Sequence, residues 1–441
     1  MSNAVKTPST QGVLHRLGGP EVRRHIRDLG WGGVRQVMSL ITNGFMFVVL
    51  AREFDPETFG YYSAVIGIAS LAGIVVNGWV GMVATENIIR DGEDPQRSMD
   101  SLSTWVTGLA VVALLVVAAL APVVVPGISI WVTMTFCAAI IVGQSVLWLA
   151  ASIIQGVHDY AHASKYLVAQ QALFLAMLIG IWLTGQLSLM TTGIAMLLSF
   201  VVMGAVCMRA LPAVCGVTVR WRRGRRSDVA RGGLYGASML ADAVEEDLDK
   251  PLLVSFGFPQ DAGLYSVAFN VVTIGMLPLN AVAGSTHNQF LKHDPDAIGQ
   301  HVRRSWKATK LAVAYAVVAA AGLVVLAPIV PMVLGEEYAE AVPITRVMSV
   351  LLVLRALNMF PFNGLMGLGR RGARTIVVVI TSVVVIVLNL VLIPRYSWQG
   401  AAVASLIGEA VYAALCWAVL IRCQRAHDRV VRGRLRAEVS A

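Results

Sequence analysis

About twelve apolar segments, each long enough to cross a bilayer, follow one another along the chain, and this succession dictates its fold class. They run at about 31–51, 58–84, 101–125, 130–155, 163–184, 187–208, 232–257, 262–290, 310–334, 343–367, 374–393 and 400–421. A spanning helix needs roughly 17–25 mostly apolar residues, the longer ones with tilt. The fifth and sixth are the least separated, with only Gly185, Gln186 and their neighbours between them. Of 441 residues 56% are apolar and 14% charged, and the mean hydropathy is +0.69. A soluble domain carries about 25% charged residues. The expectation is an all-α integral membrane protein of about twelve transmembrane helices. The first apolar run follows about thirty polar residues without a small-residue cleavage site, so no cleavable signal peptide is expected. Residues 21–35 read as a basic interfacial helix leading into the first span.

The seventh segment is the anomaly. Inside it stands Asp242-Ala-Val-Glu-Glu-Asp-Leu-Asp-Lys-Pro251. Asp242, Glu245, Glu246 and Asp249 fall at i, i+3, i+4 and i+7, so at about 100° per residue they share one helix face. In a membrane helix such a face needs protein partners or a water-filled cavity. Lys250, four residues after Glu246, is placed for a local ion pair. Two readings follow: the polar wall of a transport cavity, or a structural network buried between helices.

Charge alternates between loops. Lys6, Arg16, Arg23, Arg24 and Arg27 precede the first span. Basic residues then crowd the connections after the sixth span (Arg209, Arg220, Arg222, Arg223, Arg225, Arg226, Arg231), the eighth (Lys292, Arg303, Arg304, Lys307) and the tenth (Arg370, Arg371, Arg374), and fill the tail beyond residue 421. The intervening loops at 122–129 and 185–188 have no Lys or Arg, and 335–342 carries Glu336, Glu337 and Glu340. By the positive-inside rule both termini are expected in the cytoplasm of a multi-pass protein. Contact with anionic lipid explains the basic runs better than nucleic acid, which is not an expected partner.

The Arg-rich stretch near 209–231 divides the chain, and the two halves repeat. Pro56, Gly60, Tyr62 and Ser63 match Pro259, Gly263, Tyr265 and Ser266 at a constant separation of 203 residues, which also pairs Asn77 with Asn280 and Gly81 with Gly284. Two halves of the same orientation make a parallel repeat, and transporters so built bind substrate between the halves. The expected organisation is a cytoplasmic segment at 1–30, six-helix bundles at 31–208 and 232–421, a basic linker at 209–231 and a basic tail at 422–441. The same register sets Asn43 against Glu246 and Arg35 against Ser238, making the first and seventh helices candidate interface walls. Arg355 and Glu409 lie mid-span in the tenth and twelfth helices, each costing about 2.5–3.5 kcal/mol to insert alone. They can pair with each other or with the acidic face. A cation such as Arg355 can also meet a phosphate.

No phosphate-binding loop, long catalytic loop or metal-ligand set accompanies these charges, so an enzyme is disfavoured and no resident cofactor is expected. His158 and His162 flank Asp159 at metal-like spacing but lack a third ligand, and a solvated loop is the better reading. His287 and His293 offer no ligand pattern either. Cys137, Cys207, Cys215, Cys416 and Cys423 have no paired spacing and read as packing residues.

Ala51-Arg-Glu-Phe-Asp-Pro-Glu-Thr-Phe-Gly-Tyr-Tyr-Ser63 resembles the first-loop signature of bacterial polysaccharide flippases of the Wzx type, in the multidrug/oligosaccharidyl-lipid/polysaccharide exporter superfamily. Asp249-Lys250 followed by Asp261-Ala-Gly-Leu-Tyr-Ser-Val-Ala268 is similar to its seventh-to-eighth helix signature. Gly367-Leu-Gly-Arg-Arg-Gly372, Asn389-Leu-Val-Leu-Ile-Pro394 and Gly400-Ala-Ala402 resemble its late helices. The resemblance covers about residues 30–420. It implies two pseudo-symmetric six-helix bundles around a central cavity, alternating access, the bacterial cytoplasmic membrane, and a polyprenyl-phosphate-linked glycan as cargo, with other glycan-assembly membrane proteins as possible neighbours. The acid-rich seventh helix departs from the cationic cavity of that family and suits a coupling H⁺ or Na⁺. A drug/cation antiporter of the same superfamily is the alternative. A glycan polymerase or ligase lacks its usual long periplasmic loop here, and a non-transporting scaffold would not need intramembrane charge. The candidate pathway residues are Arg35, Asn43, Asp242, Glu245, Glu246, Asp249, Lys250, Arg355 and Glu409.

Overall fold

The computed structural model describes residues 20–158, 160–220, 222–291, 298–367 and 371–440. Lys6, Arg16, Asp159, Lys292, His293 and Arg370 lie outside the described residues. Helices in the first half are α1 (Pro20–Glu53), α2 (Pro56–Asn77), α3 (Val80–Thr85), α4 (Pro95–Val124), α5 (Ile130–Cys137), α6 (Ser145–Val157), α7 (Tyr160–Leu183) and α8 (Leu189–Cys215). The second half holds α9 (Arg226–Asp247), α10 (Asp249–Ser255), α11 (Pro259–Leu291), α12 (Ile298–Leu326), α13 (Ile329–Leu334), α14 (Ala341–Met348), α15 (Val350–Gly367) and α16 (Arg371–Ser440). The protein is all-helical among the described residues, as a bilayer requires of a chain whose backbone polar groups must be satisfied internally.

Among the described residues, ten helical stretches are long and apolar enough to cross a membrane. The last, Thr375–Arg425, is two arms: Ser397 sits at φ 47°, ψ −128°, three residues after Pro394. Its hydroxyl donates to Asp261, which holds the bend. Counting both arms, and adding the acid-rich α9 and α10, brings the spans to the expected twelve. Between the fifth and sixth spans, Gly185 at φ 66° turns the chain and Ser188 caps α8 in a reciprocal box with Thr191. The basic stretch at 21–35 is helical and runs unbroken into the first span.

The described chain packs as two compact units. One comprises the described residues of 20–47, 80–110 and 138–232. In it the basic linker is strapped to the start of α4. Fully buried Asp228 accepts from Ser101 Oγ at 2.6 Å and Arg225 Nε at 3.1 Å on one oxygen, and from Asn87 Nδ2 at 3.4 Å on the other. Arg225 forks onto Glu93, and Arg231 reaches Asp91 at 2.6 Å. The Glu93 hydrogen bonds hold the Arg225 guanidinium above its ordinary pKa.

The other unit comprises the described residues of 48–79, 111–137 and 233–440. Its organising contact is a crossing of α2 with α11 at the two copies of the repeat. A methyl group on Gly60 would collide with the Pro259 carbonyl, and one on Gly263 with the Pro56 carbonyl. The exchange is reciprocal and obeys the 203-residue register residue for residue. Only glycine lets two helix backbones approach this closely. Around the first copy, Phe59 and Tyr62 pack with Phe136 and Tyr338, and the Tyr338 hydroxyl donates to the Phe54 carbonyl at 3.0 Å.

Candidate functional site

Pro251 shapes the site. It has no N–H for the Asp247 carbonyl four residues back, and its ring crowds that oxygen. Helix α9 accordingly ends at Asp247 and α10 begins at Asp249. The freed carbonyl and the Pro251 ring pack on Gly67, where a side chain would meet them at 2.8 and 3.1 Å. This break redistributes the acids that a continuous helix would align. Asp242, Glu245 and Glu246 line a cavity of about 480 Å³ inside the second unit, together with Arg355 and Glu409. Asp249 is turned away from it and buried.

Arg355 is the cavity's cation among the described lining residues, facing four carboxylates. Its Nε donates to Glu409 at 2.6 Å, and its second nitrogen lies 3.5 Å from Glu246. Asn358 Nδ2 donates to the other Glu409 oxygen at 2.6 Å. Glu409 is thus held at both oxygens, with its side chain 11% exposed, whereas that of Glu246 is 57% exposed. The guanidinium also lies over the Phe269 ring, 5.4 Å from its centre. Arg355 therefore grips one buried carboxylate firmly and a second, wetter one loosely. The loose partner is one that an incoming anion can displace.

Lys250 does not pair with the Glu246 carboxylate. Because the helix breaks between them, its ammonium reaches only the Glu246 backbone carbonyl, and it pairs with Asp247 at 3.2 Å and Asp249 at 3.5 Å. It also sits over Phe269, 4.4 Å from the ring centre. Asp249 accepts from the Tyr265 hydroxyl at 2.6 Å, and Tyr265 contacts Ser405 Oγ at 3.1 Å. Asp249 and Lys250 thus form a buried polar cluster beside the cavity rather than part of its wall.

Arg35 and Asn43 belong to the first unit and line none of this cavity. Arg35 donates to the Tyr160 hydroxyl at 3.0 Å, and Asn43 to Ser39 at 3.2 Å. The His158 and His162 rings are tilted against each other with centres 5.4 Å apart, and a His158 ring nitrogen lies 2.7 Å from the Val214 carbonyl oxygen. No cluster able to hold a metal occurs among the described residues. Sequence reasoning missed Asn358, Asn363 and Thr273, all on the cavity wall. Neutral polar residues in an apolar helix are weak signals singly. Asn358 and Asn363, three and eight residues after Arg355, repeat at helical spacing and could have been read as its face.

The comparisons agree with this architecture. An inward-facing multidrug resistance MATE family transporter of the MOP superfamily superposes with a TM-score of 0.72 at 15% identity, over 90% of this chain and 98% of that one. An outward-facing transporter of the same description gives 0.61 at 17%, over 96% and 100%. A MOP superfamily transporter from Pyrococcus furiosus, whose binding pocket is described as of reverse polarity and suggestive of a different function, gives 0.62 at 16%, over 96% and 100%. At such identities the likeness carries the fold. No curated protein matches in sequence. The model of the family described as polysaccharide biosynthesis protein matches residues 49–343. That match spans most of the chain, from the end of α1 through the acidic break and the cavity helix α11 into α14. On a MATE-type transporter fold, the chain belongs to the polysaccharide biosynthesis protein family.

Proposed function

We propose that the protein is a flippase, which moves a polyprenyl-phosphate-linked oligosaccharide or polysaccharide precursor across the bacterial cytoplasmic membrane by alternating access between two pseudo-symmetric bundles. Both termini lie in the cytoplasm. The observation that carries this reading is Arg355: a guanidinium in the cavity of a polysaccharide-family transporter, with one arm on an exposed, displaceable carboxylate. Guanidinium groups bind phosphate oxygens through paired, charge-assisted hydrogen bonds. The carrier's phosphate takes the place of Glu246, the glycan occupies the polar cavity, and the lipid tail stays in the bilayer. Displaced Glu246, with Asp242 and Glu245 beside it, takes up the coupling H⁺ or Na⁺. Binding of that ion lowers the repulsion among the carboxylates and shifts the balance of inward- and outward-open states. Arg35 serves as a further phosphate contact; Lys250, buried against Asp247 and Asp249, does not. The protein transports its cargo without chemically altering it, and its partners are the bilayer and other glycan-assembly membrane proteins.

The acid surplus supports a second reading, a multidrug/cation antiporter, since a cationic substrate would meet four carboxylates. One experiment separates them. In proteoliposomes normalised for protein, Arg355→Ala should cut flipping of a polyprenyl-diphosphate-linked sugar at least tenfold. Glu246→Gln should lower transport while leaving membrane insertion intact. Wild-type flipping by both variants returns these charges to a purely structural role, and export of a cationic dye that survives Arg355→Ala selects the antiporter.

A further inference from the structure

The repeat's two tyrosines have diverged. Tyr62 packs among aromatic rings, whereas Tyr265, with no exposed surface, joins Asp249 to Ser405. Ser405 also borders a second, small cavity of about 10 Å³, whose polar wall is Glu245, Arg355, Glu409 and Ser405 and whose apolar wall includes Phe269. That volume holds one water, and a buried water needs two to four polar partners. Glu245 supplies one directly, since its Oε1 is buried and has no hydrogen-bond partner.

We propose that this cavity holds a single water joining Glu245 to Ser405, and so completes a proton relay from the transport cavity to Asp249. The hydrogen-bond directions are consistent from end to end. Tyr265 donates to Asp249, so Ser405 donates to Tyr265. The water then donates to Ser405 and accepts from protonated Glu245. One concerted shift moves each proton a single step: Glu245 ends ionised, Asp249 protonated, and water, Ser405 and Tyr265 each keep their proton count. Facing Glu245 are Asp242 and Glu246 on its own helix, Arg355 on α15 and Glu409 on α16. Facing Asp249 are Lys250 and Asp247 on the same strand of chain and Tyr265 on α11. Helix α2, packed on α10 at Gly67, carries no ionisable side chains beyond Glu57, Tyr61 and Tyr62. Lys250 is thus the counter-ion that loses its partner when Asp249 takes the proton, and Arg355 the one that faces Glu245 when it gives the proton up.

What the relay serves rests on the transport reading above; that it exists is tested without any glycan. Full-length protein in nanodiscs is subjected to a stopped-flow pH jump with a water-soluble pH dye. Asp249→Asn identifies the phase that belongs to Asp249. Ser405→Ala should slow that phase at least tenfold, and Ser405→Thr, which keeps the hydroxyl, should restore it. In an Asp249→Asn background Ser405→Ala should change nothing. If Ser405→Ala does not fold, Tyr265→Phe breaks the next link and carries the same expectation. A wild-type rate in either variant overturns the relay, as does an experimental map that resolves waters and shows none between Glu245 and Ser405. Loss of glycan flipping with an intact pH-jump phase would count against the transport reading alone.

Discussion

Arg355 touches two carboxylates, and the structure ranks them. The contact with Glu409 is 2.6 Å long between side chains 16% and 11% exposed; that with Glu246 is 3.5 Å long, with Glu246 57% exposed. Hydrogen bonds between membrane helices average about 0.6 kcal/mol and reach about 1.7. Charge assistance roughly doubles a typical bond, so the coupling of Arg355 to Glu409 should be about 1–2 kcal/mol. The Glu246 pair resembles a solvent-exposed ion pair, worth about 0–0.5 kcal/mol once screened. Removing Arg355 alone costs more than the coupling, because Glu409 is left with Asn358 only. In a dry core that would be roughly 3–5 kcal/mol; on the wall of a hydrated cavity about 2–3 is expected. The assay is a pair of double-mutant cycles, Arg355→Met with Glu409→Gln and Arg355→Met with Glu246→Gln, read by equilibrium unfolding of the purified full-length protein in one fixed lipid–detergent mixture. The Glu409 double variant should be more stable than the sum of its singles by about 1–2 kcal/mol, and the Glu246 double should be additive. A Glu246 coupling equal to or above that of Glu409 would refute the division into an anchored and a displaceable carboxylate.

The helix crossing at the repeat predicts that Gly60→Ala and Gly263→Ala each cost about 2–3 kcal/mol, because the obstructing atom is a backbone carbonyl that cannot rotate away; thermal unfolding of the two single variants checks it, and wild-type stability of either would refute it. Asp228→Asn should loosen the linker strap, with destabilisation of about 2 kcal/mol after allowing for the part-exposed arginines, and faster protease cleavage between residues 216 and 226. The strap's cation does not titrate under ordinary conditions: Glu93 holds the Arg225 pKa above its usual value, so its stabilisation is fully present below the ordinary arginine pKa and is lost only as pH rises through the still higher folded-state value. A strap that opened between pH 7 and 9 would therefore not be losing its arginine proton. For topology, a cysteine placed at 215–230 should be labelled only from the cytoplasm and one at 335–340 only from outside, and the opposite pattern at either position overturns the orientation.

Membrane class, span number and the repeat are legible in the sequence because each rests on information that is local along the chain. Hydropathy summed over a window reports the solvent a helix can tolerate, and a constant offset between Gly60 and Gly263 survives any packing. Arg355, Glu409, Asp242, Glu245 and Glu246 stand out for the same reason, since charge in an apolar run is conspicuous wherever its partner lies. What tertiary structure alone decided is who pairs with whom. The helical wheel places Asp249 beside Glu246 and lets Lys250 reach it, but Pro251 strips one hydrogen bond from the helix and the Asp247 carbonyl settles on Gly67. That bend sends Asp249 and Lys250 into a cluster with Tyr265 and leaves Arg355, more than a hundred residues away, as the partner of Glu246. A proline's missing N–H is visible in the sequence; the direction in which the freed helix leans is set by the small surface of Gly67 on another helix, and only packing brings that surface to it.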